Sequence, residues 1–297
     1  MISDICKMQI DENGRELVQH GDSTFPIGCY HDDLSREEVP WHWHEEVEVA
    51  VISEGHAVIA ASNEKYIVHQ GEGVFINSGV LHGAWDVDRS SCRIHSLVFH
   101  PRLVGGSMDS VFYQKYVQPL LDHRGMESIY LTTNLSWQKK VVDAIERAWQ
   151  KCAEGTGGYE FAVREALSEL IFEIWKQMPK LQKKENLKSI RNEERIKSML
   201  QYVHSHFAEE ITVNQVADSA SVSESECLRC FRNTIGVTPI QYVKQYRIQK
   251  ASQLLMTSHE KIAAIGIQCG FQDASYFIKT FREMKGCSPT QFRQKKS

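Results

Sequence analysis

The sequence has no run of about 18 apolar residues, so a bilayer-spanning helix is excluded. Its opening, MISDICKMQIDENG, is acidic and polar, unlike a secretory signal, so no export is expected and the cytoplasm is the expected location. There is no phosphate-cradling glycine loop and no nucleophile–base constellation, so no enzyme is expected. Cys227-x-x-Cys230 has no second ligand pair to complete a zinc site, because Cys269 and Cys287 stand alone. Cys227 and Cys230 are expected as small buried apolar residues. Eight cysteines are scattered along a chain too long to need staples, so reduced thiols are expected.

What is present fits two domains: 297 residues with ordinary apolar and charged fractions. The net charge of −4 is unevenly spread. From Lys188 onward there are 16 Lys and Arg against 10 Asp and Glu, while the remainder carries 18 against 28. A basic module on an acidic body suits a polyanionic partner for the C-terminal part alone.

From about Gly28 to His100, short alternating runs such as EVEVAVI, HAVIAA, KYIVHQ, GVFIN and RIHSLVFH are separated by Gly, Asn and Ser. They predict a sandwich or barrel. From Ser136 the spacing turns helical, with Val141, Ile145, Ala148, Trp149 and Cys152 at three- and four-residue steps. GTGG (155–158) breaks that helix, and a second carries Ala166, Leu167, Leu170, Ile171, Ile174 and Trp175 on one stripe. The pair predicts a helical hairpin and a possible dimer contact. Pro179 to Glu194, charged and poor in large apolar residues at its centre, reads as a linker.

The last third repeats one plan about fifty residues apart. In ITVNQVADSASVSESECLRCFRNTIG (211–236), Thr212 is placed to cap a first helix. Ser223 opens a second, with Glu226 three residues later completing a capping box. Cys227, Cys230 and Phe231 share the buried stripe, leaving Ser225, Leu228, Arg229 and Arg232 to other faces. In the second unit (260–286), Gly266 takes the place of Ala217 and Asp273 caps the last helix. Phe277 and Phe281 face inward, while Ala274, Ser275, Ile278 and Lys279 face away. Pro239 to Leu255 predicts one long helix between the units. Two helix-turn-helix units can set two recognition helices into successive major grooves about 34 Å apart.

GFQDASYFIKTFREMKGCSPTQFR (270–293) resembles the signature of the AraC/XylS family of bacterial transcription regulators, and 211–255 follows it more loosely. The resemblance implies base reading by Ser225, Leu228 and Arg229, and by Ala274, Ser275, Ile278 and Lys279, with Arg232 beside them. The sequence departs from the pattern at Cys227, where the family has Leu, and at Leu228, where a polar reader is usual. Gly266 replaces a usual Ala, which predicts a helix loosened by about 1 kcal/mol.

If VPWHWHEEVEVAVISEG (39–55) is one strand, His42, His44, Glu46, Glu48, Ala50 and Ile52 share a face, and Trp43, Val47, Val49 and Val51 the other. The polar end then looks into a barrel lumen while the valines meet a second layer. HWHEEVEVAVISEG also resembles the first cupin motif, selecting His42, His44, Glu48 and Gly55. GEGVFINSGVLH (71–82) resembles the second, ending at His82, with Asn77 in place of proline. That resemblance implies either the metal quartet of cupin enzymes or a metal-free small-molecule pocket lined by the same side chains and Trp43. The metal-free pocket is the expected one. Trp41, Trp85 and Phe75 are further candidates to stack on a ligand, although several of these aromatics are expected in the core instead. His204 and His206, at a helix end, are expected to be structural.

The expected fold is α+β multidomain. A cupin-like jelly-roll barrel (1–135) with a helical hairpin (136–178) is joined by a linker (179–190) to an all-α domain (191–297) of two helix-turn-helix units. The expected function is a ligand-responsive, sequence-specific DNA-binding regulator sensing a small, sugar-related molecule. Its expected partners are double-stranded promoter DNA, the effector and a second copy of itself. The rival is a metal-dependent cupin enzyme or metal sensor fused to a DNA reader.

Overall fold

The computed structural model describes residues 20–36, 38–88, 91–123, 125–181 and 187–294. Two compact units result, the first ending at Ser189 and the second starting at Ile190. No helix among the described residues is long and apolar enough to cross a membrane.

Among its described residues the first unit has nine strands: β1 (Ile27–Asp33), β2 (Val39–His42), β3 (Val47–Glu54), β4 (His56–Ala61), β5 (Glu64–His69), β6 (Gly73–Ile76), β7 (His82–Asp86), β8 (Arg93–Phe99) and β9 (Ser128–Leu131). They form two antiparallel sheets, β1-β8-β3-β6-β9 and β2-β7-β4-β5. The region after Pro101, left without elements by sequence reading, supplies α1 (Arg102–Gly105), a π-helical turn (Tyr113–Val117), α2 (Gln118–Leu121) and β9. These pieces are too short to show a period.

Two long helices follow as the spacing predicts, α3 (Ser136–Glu154) and α4 (Tyr159–Gln177), separated by left-handed Gly155 and Gly158. Their apolar stripes bury against the outer face of the five-stranded sheet, in a core shared by Val47, Val49, Val51, Phe75, Leu97, Val141, Ile145, Leu167 and Leu170. Trp149 fastens α3 to that sheet: its Nε1 donates to the Tyr30 carbonyl at 2.7 Å, and its ring stacks on His95 at 3.6 Å. Phe75 belongs to this helix-facing core, so it cannot stack on a ligand in the lumen. Small and branched residues face the lumen between the sheets, among them Ala50, Ile52, Ala57, Ile59, Val74 and Ile76.

VPWHWHEEVEVAVISEG is not one strand. β2 belongs to the four-stranded sheet and β3 to the five-stranded one, with a corner over residues 43–46. The alternation of residue types runs through the corner unbroken, which is why it reads as continuous. Gly55, at φ +77°, then turns β3 into β4 where any Cβ would strike the Ser91 carbonyl.

The second unit is all helical: α5 (Leu187–His206), α6 (Val213–Ser219), α7 (Glu224–Thr234), α8 (Pro239–Thr257), α9 (Ile262–Gln268), α10 (Ala274–Lys285) and α11 (Pro289–Gln294). The segment expected as a linker is therefore helical from Leu187. Thr212 with Gln215, and Thr238 with Gln241, form full capping boxes for α6 and α8. His204 is structural, with Nε2 2.8 Å from the Tyr242 hydroxyl and its ring stacked on Tyr246. His206 sets Nδ1 3.0 Å from the Tyr202 carbonyl. Around α8, Ile248, Ala251 and Leu255 pack with Ile265, Phe271, Phe277 and Phe281.

Gly266 does not loosen this core. A Cβ there would lie 2.8 Å from Phe277 Cδ1 and 3.0 Å from Cγ. The bare backbone lets α9 and α10 close on that ring, and the packing outweighs the propensity. Gly266→Ala, a gain by helix propensity, is expected instead to destabilise by about 1–3 kcal/mol through overpacking. A lowered urea midpoint of the helical unit checks this.

Candidate functional site

Two places concentrate functional side chains, one in each unit. In the first unit, His42 ends β2, His44 lies in the corner, Glu48 is on β3 and His82 starts β7. One ligand atom from each lies within 4.8 Å of all the others, the only such group of metal-ligating residues among those described. The three histidines are 2–3% exposed. Glu48 Oε2 is 2.9 Å from His82 Nε2 and 3.3 Å from His44 Nε2.

The imidazoles are oriented from behind. Nδ1 of His42 is 2.8 Å from the Pro40 carbonyl, that of His82 2.8 Å from Val80, and that of His44 3.2 Å from Glu46. A carbonyl only accepts, so each Nδ1 carries a proton, and an unprotonated Nε2 on His44 or His82 would turn a lone pair toward Glu48. An ionised Glu48 also presents lone pairs. Acceptors at such distances require a positive charge between them, either an added proton or a cation. Burial alone would raise the Glu48 carboxyl, but the neighbouring His82 and His44 overcome it and hold the group well below the usual carboxylate range. Three backbone-locked imidazoles and one carboxylate also fit a divalent d-block cation.

Among the other expected pocket residues, Trp43 sits at the corner, half-buried. Trp41 and Trp85 meet each other at 6.0 Å. Asn77 has a different task from the proline of the motif. Its Nδ2 donates to the Leu120 carbonyl at 2.9 Å and lies 3.3 Å from that of Met126, and its backbone N–H donates to Glu127. It ties the loop before β9 to the end of β6.

In the second unit, α7 and α10 bury the stripes expected of them: Cys227, Cys230 and Phe231, then Phe277 and Phe281. Burial pushes the Cys227 thiol up to about 12. Asp273 Oδ1 caps α10 by accepting from the Tyr276 N–H at 2.7 Å. Ser225, Arg232, Ser275, Ile278 and Lys279 are exposed, while Leu228, Arg229 and Ala274 are half-buried.

The expected capping box on α7 is only half formed. Ser223 accepts from the Glu226 N–H, but the Glu226 carboxylate turns to Arg229, at 2.6 and 2.8 Å, and to Arg195 of α5, at 2.9 Å. Two charged partners outcompete one backbone amide. Sequence reading missed Arg195 because it lies 31 residues from Glu226. It also missed Tyr276, 46% exposed on the first turn of α10 with Lys244 Nζ 5.7 Å from its ring centroid. The exposed Tyr directly before buried Phe277 was the available signal.

Residues 25–200 match the AraC-like ligand binding domain, and residues 216–295 match a helix-turn-helix domain. The HTH-type transcriptional regulator YdeC of Bacillus subtilis (strain 168) is 32% identical, over 97% of this chain and 98% of its own. The HTH-type transcriptional activator RhaS of Enterobacter sp. (strain 638) is 24% identical, over 93% of this chain and 97% of its own. Among solved structures, ToxT from Vibrio cholerae O395 is 13% identical with a TM-score of 0.46, covering 92% of this chain and 98% of that one.

Replacing Asn77 tests its part in the second motif. Asn77→Ala takes the amide donor from the Leu120 and Met126 carbonyls, the first of which still accepts from the His123 N–H, and is expected to cost about 0.5–1.5 kcal/mol. Asn77→Pro, which matches the motif, should cost more, because it also removes the N–H given to Glu127. Urea unfolding of the two variants should give that order.

Proposed function

The chain belongs to the AraC family of ligand-responsive, DNA-binding transcriptional regulators, and from that premise we propose how its residues divide the work. Helices α7 and α10 enter successive major grooves of a promoter. Ser225, Leu228, Arg229 and Arg232 on the first, and Ala274, Ser275, Ile278 and Lys279 on the second, meet bases and phosphates. What carries this reading is two capped helices of one rhythm, each burying a stripe that includes phenylalanine and leaving polar and basic residues in solvent. The naming of relatives as activators supports activation as the outcome.

The effector binds in the barrel at His42, His44, Glu48 and His82, beside Trp43. In a lumen otherwise apolar, these buried groups offer donors and acceptors to the hydroxyls of a small sugar or polyol. The site serves sensing, not turnover, and the protein works in the cytoplasm. A second reading is favoured by the locked Nδ1 atoms, which leave Nε2 of His44 and His82 facing one carboxylate. In that reading the same four side chains hold a divalent cation, alone or beneath the small molecule.

The active form is a homodimer. Phe112, Phe161 and Phe172 are 45–83% exposed on the first unit, and Tyr116 packs beside Phe172. Such an apolar face suits a second copy of the chain.

Four measurements test these assignments. Arg229→Ala with Lys279→Ala should abolish sequence-specific promoter binding at moderate salt with the fold intact by circular dichroism. Unchanged specific affinity would refute the reading faces. A metabolite panel scored by thermal shift, with and without chelator, should give a hit that His44→Ala removes. Stoichiometric metal in the purified protein, lost in His44→Ala, selects the cation reading, and its absence selects the metal-free pocket. Phe161→Glu with Phe172→Glu should convert dimers to monomers in sedimentation.

A further inference from the structure

Glu226 sits one turn before Arg229 on α7 and grips one edge of its guanidinium, Nε to Oε2 at 2.8 Å and Nη2 to Oε1 at 2.6 Å. Neither bond uses Nη1, and the Arg229 side chain is 39% exposed. The carboxylate is itself held. Its Oε1 also accepts from Arg195 Nη1 at 2.9 Å, and Cys230 Sγ lies 3.9 Å away. Arg195 belongs to α5, so the grip on Arg229 is anchored outside the recognition helix.

A guanidinium has five N–H donors in a fixed fork. Two of them bind Glu226, and the Nη1/Nη2 end keeps enough donors for a bidentate contact with guanine O6 and N7. Two effects follow from the carboxylate. Arg229 has already surrendered rotamer freedom that an unrestrained arginine would lose on contacting a base. A phosphate, the competing target of any arginine at a DNA surface, is also repelled by the adjacent negative charge.

We propose that Glu226, pinned by Arg195, is a positioning residue that sets sequence specificity by holding Arg229 for a guanine edge and turning it away from phosphate. This rests on the reading that α7 enters a major groove.

The test uses the full chain and two DNA probes, a pool of duplexes with a randomised core and one fixed duplex of unrelated sequence. The pool is selected separately with the wild type, Glu226→Gln, Arg195→Gln and Arg229→Ala. The wild type should enrich sites with a guanine preference that Arg229→Ala erases. Glu226→Gln should keep the site but lose on the order of tenfold in preference at that position. It should also bind the unrelated duplex severalfold more tightly, with a steeper salt dependence, because a carboxylate has left the interface. Arg195→Gln, which leaves the α7 pair in place, should lower the same preference less.

If Arg229→Ala erases the preference while Glu226→Gln selects as the wild type does, the positioning role is overturned and the groove reading stands. If Arg229→Ala also selects as the wild type, the groove reading itself has failed. A Glu226→Gln chain that melts lower, with preference and unrelated-duplex affinity unchanged, makes the contact structural only and likewise overturns the proposal.

Discussion

The first unit depends on β3 being covered on both faces. Val47, Val49 and Val51 go to the helix-facing core, and Ala50 and Ile52 to the lumen. Pairing with β6 and β8 sets Glu48 opposite Ile76 and Val98, on the lumen parity. A slip of one residue would send the valines into the lumen and the carboxylate among Val141, Ile145 and Leu167. Several apolar side chains and one charge oppose that slip together. The apolar packing of the hairpin thus fixes where the polar cluster stands, although no helix residue belongs to the cluster.

The second unit uses a different constraint. Most of its described helices are short, and single turns are weak alone, so caps and aromatic plugs add to their hold. Thr212, Ser223, Thr238 and Asp273 each accept from a backbone N–H of the first turn. Phe231, Phe277 and Phe281 close the interior. Once the buried stripe is chosen, the outward residues are determined by helical geometry. Their chemistry is not equivalent, because Arg229 is charge-paired within its own helix.

These two constraints explain what could be read from the sequence. Caps, apolar stripes at three- and four-residue steps and repeated glycine and proline positions are local, so both helix-turn-helix units were legible nearly to the residue. The four cluster residues were legible through their spacing, yet the strand assumed to carry them was not. Types alternate through His44 and Glu46, so the corner leaves no mark in the pattern. β9 is four residues long and defined by its pairing to β6, which no local period announces. Gly266 was misread because propensity is local, whereas the Phe277 ring that needs the space comes from another helix. Glu226 was misread for the same reason, since Arg195 decides where its carboxylate turns.

Magnitudes separate the ways the polar cluster can act as a switch. Moving a two-state equilibrium from 1:99 to 99:1 takes a differential affinity of about 5.5 kcal/mol. A hydrogen bond to a neutral hydroxyl contributes about 1 kcal/mol net, and one to a charged group about 1.5–3. A hydroxylated molecule must therefore engage most of His42, His44, Glu48 and His82 in one state and lose most of those contacts in the other. A cation reaches that scale more easily, since structural metal binding supplies about 10–16 kcal/mol. It must then distinguish the two states by moving a single ligand. Three of the four ligands sit on a corner or at a strand end rather than within a strand, where small backbone shifts are cheapest. Glu48 is the exception, held inside the central strand. Of the four, only His44 lies in the corner over residues 43–46, between the two sheets whose strands carry the others.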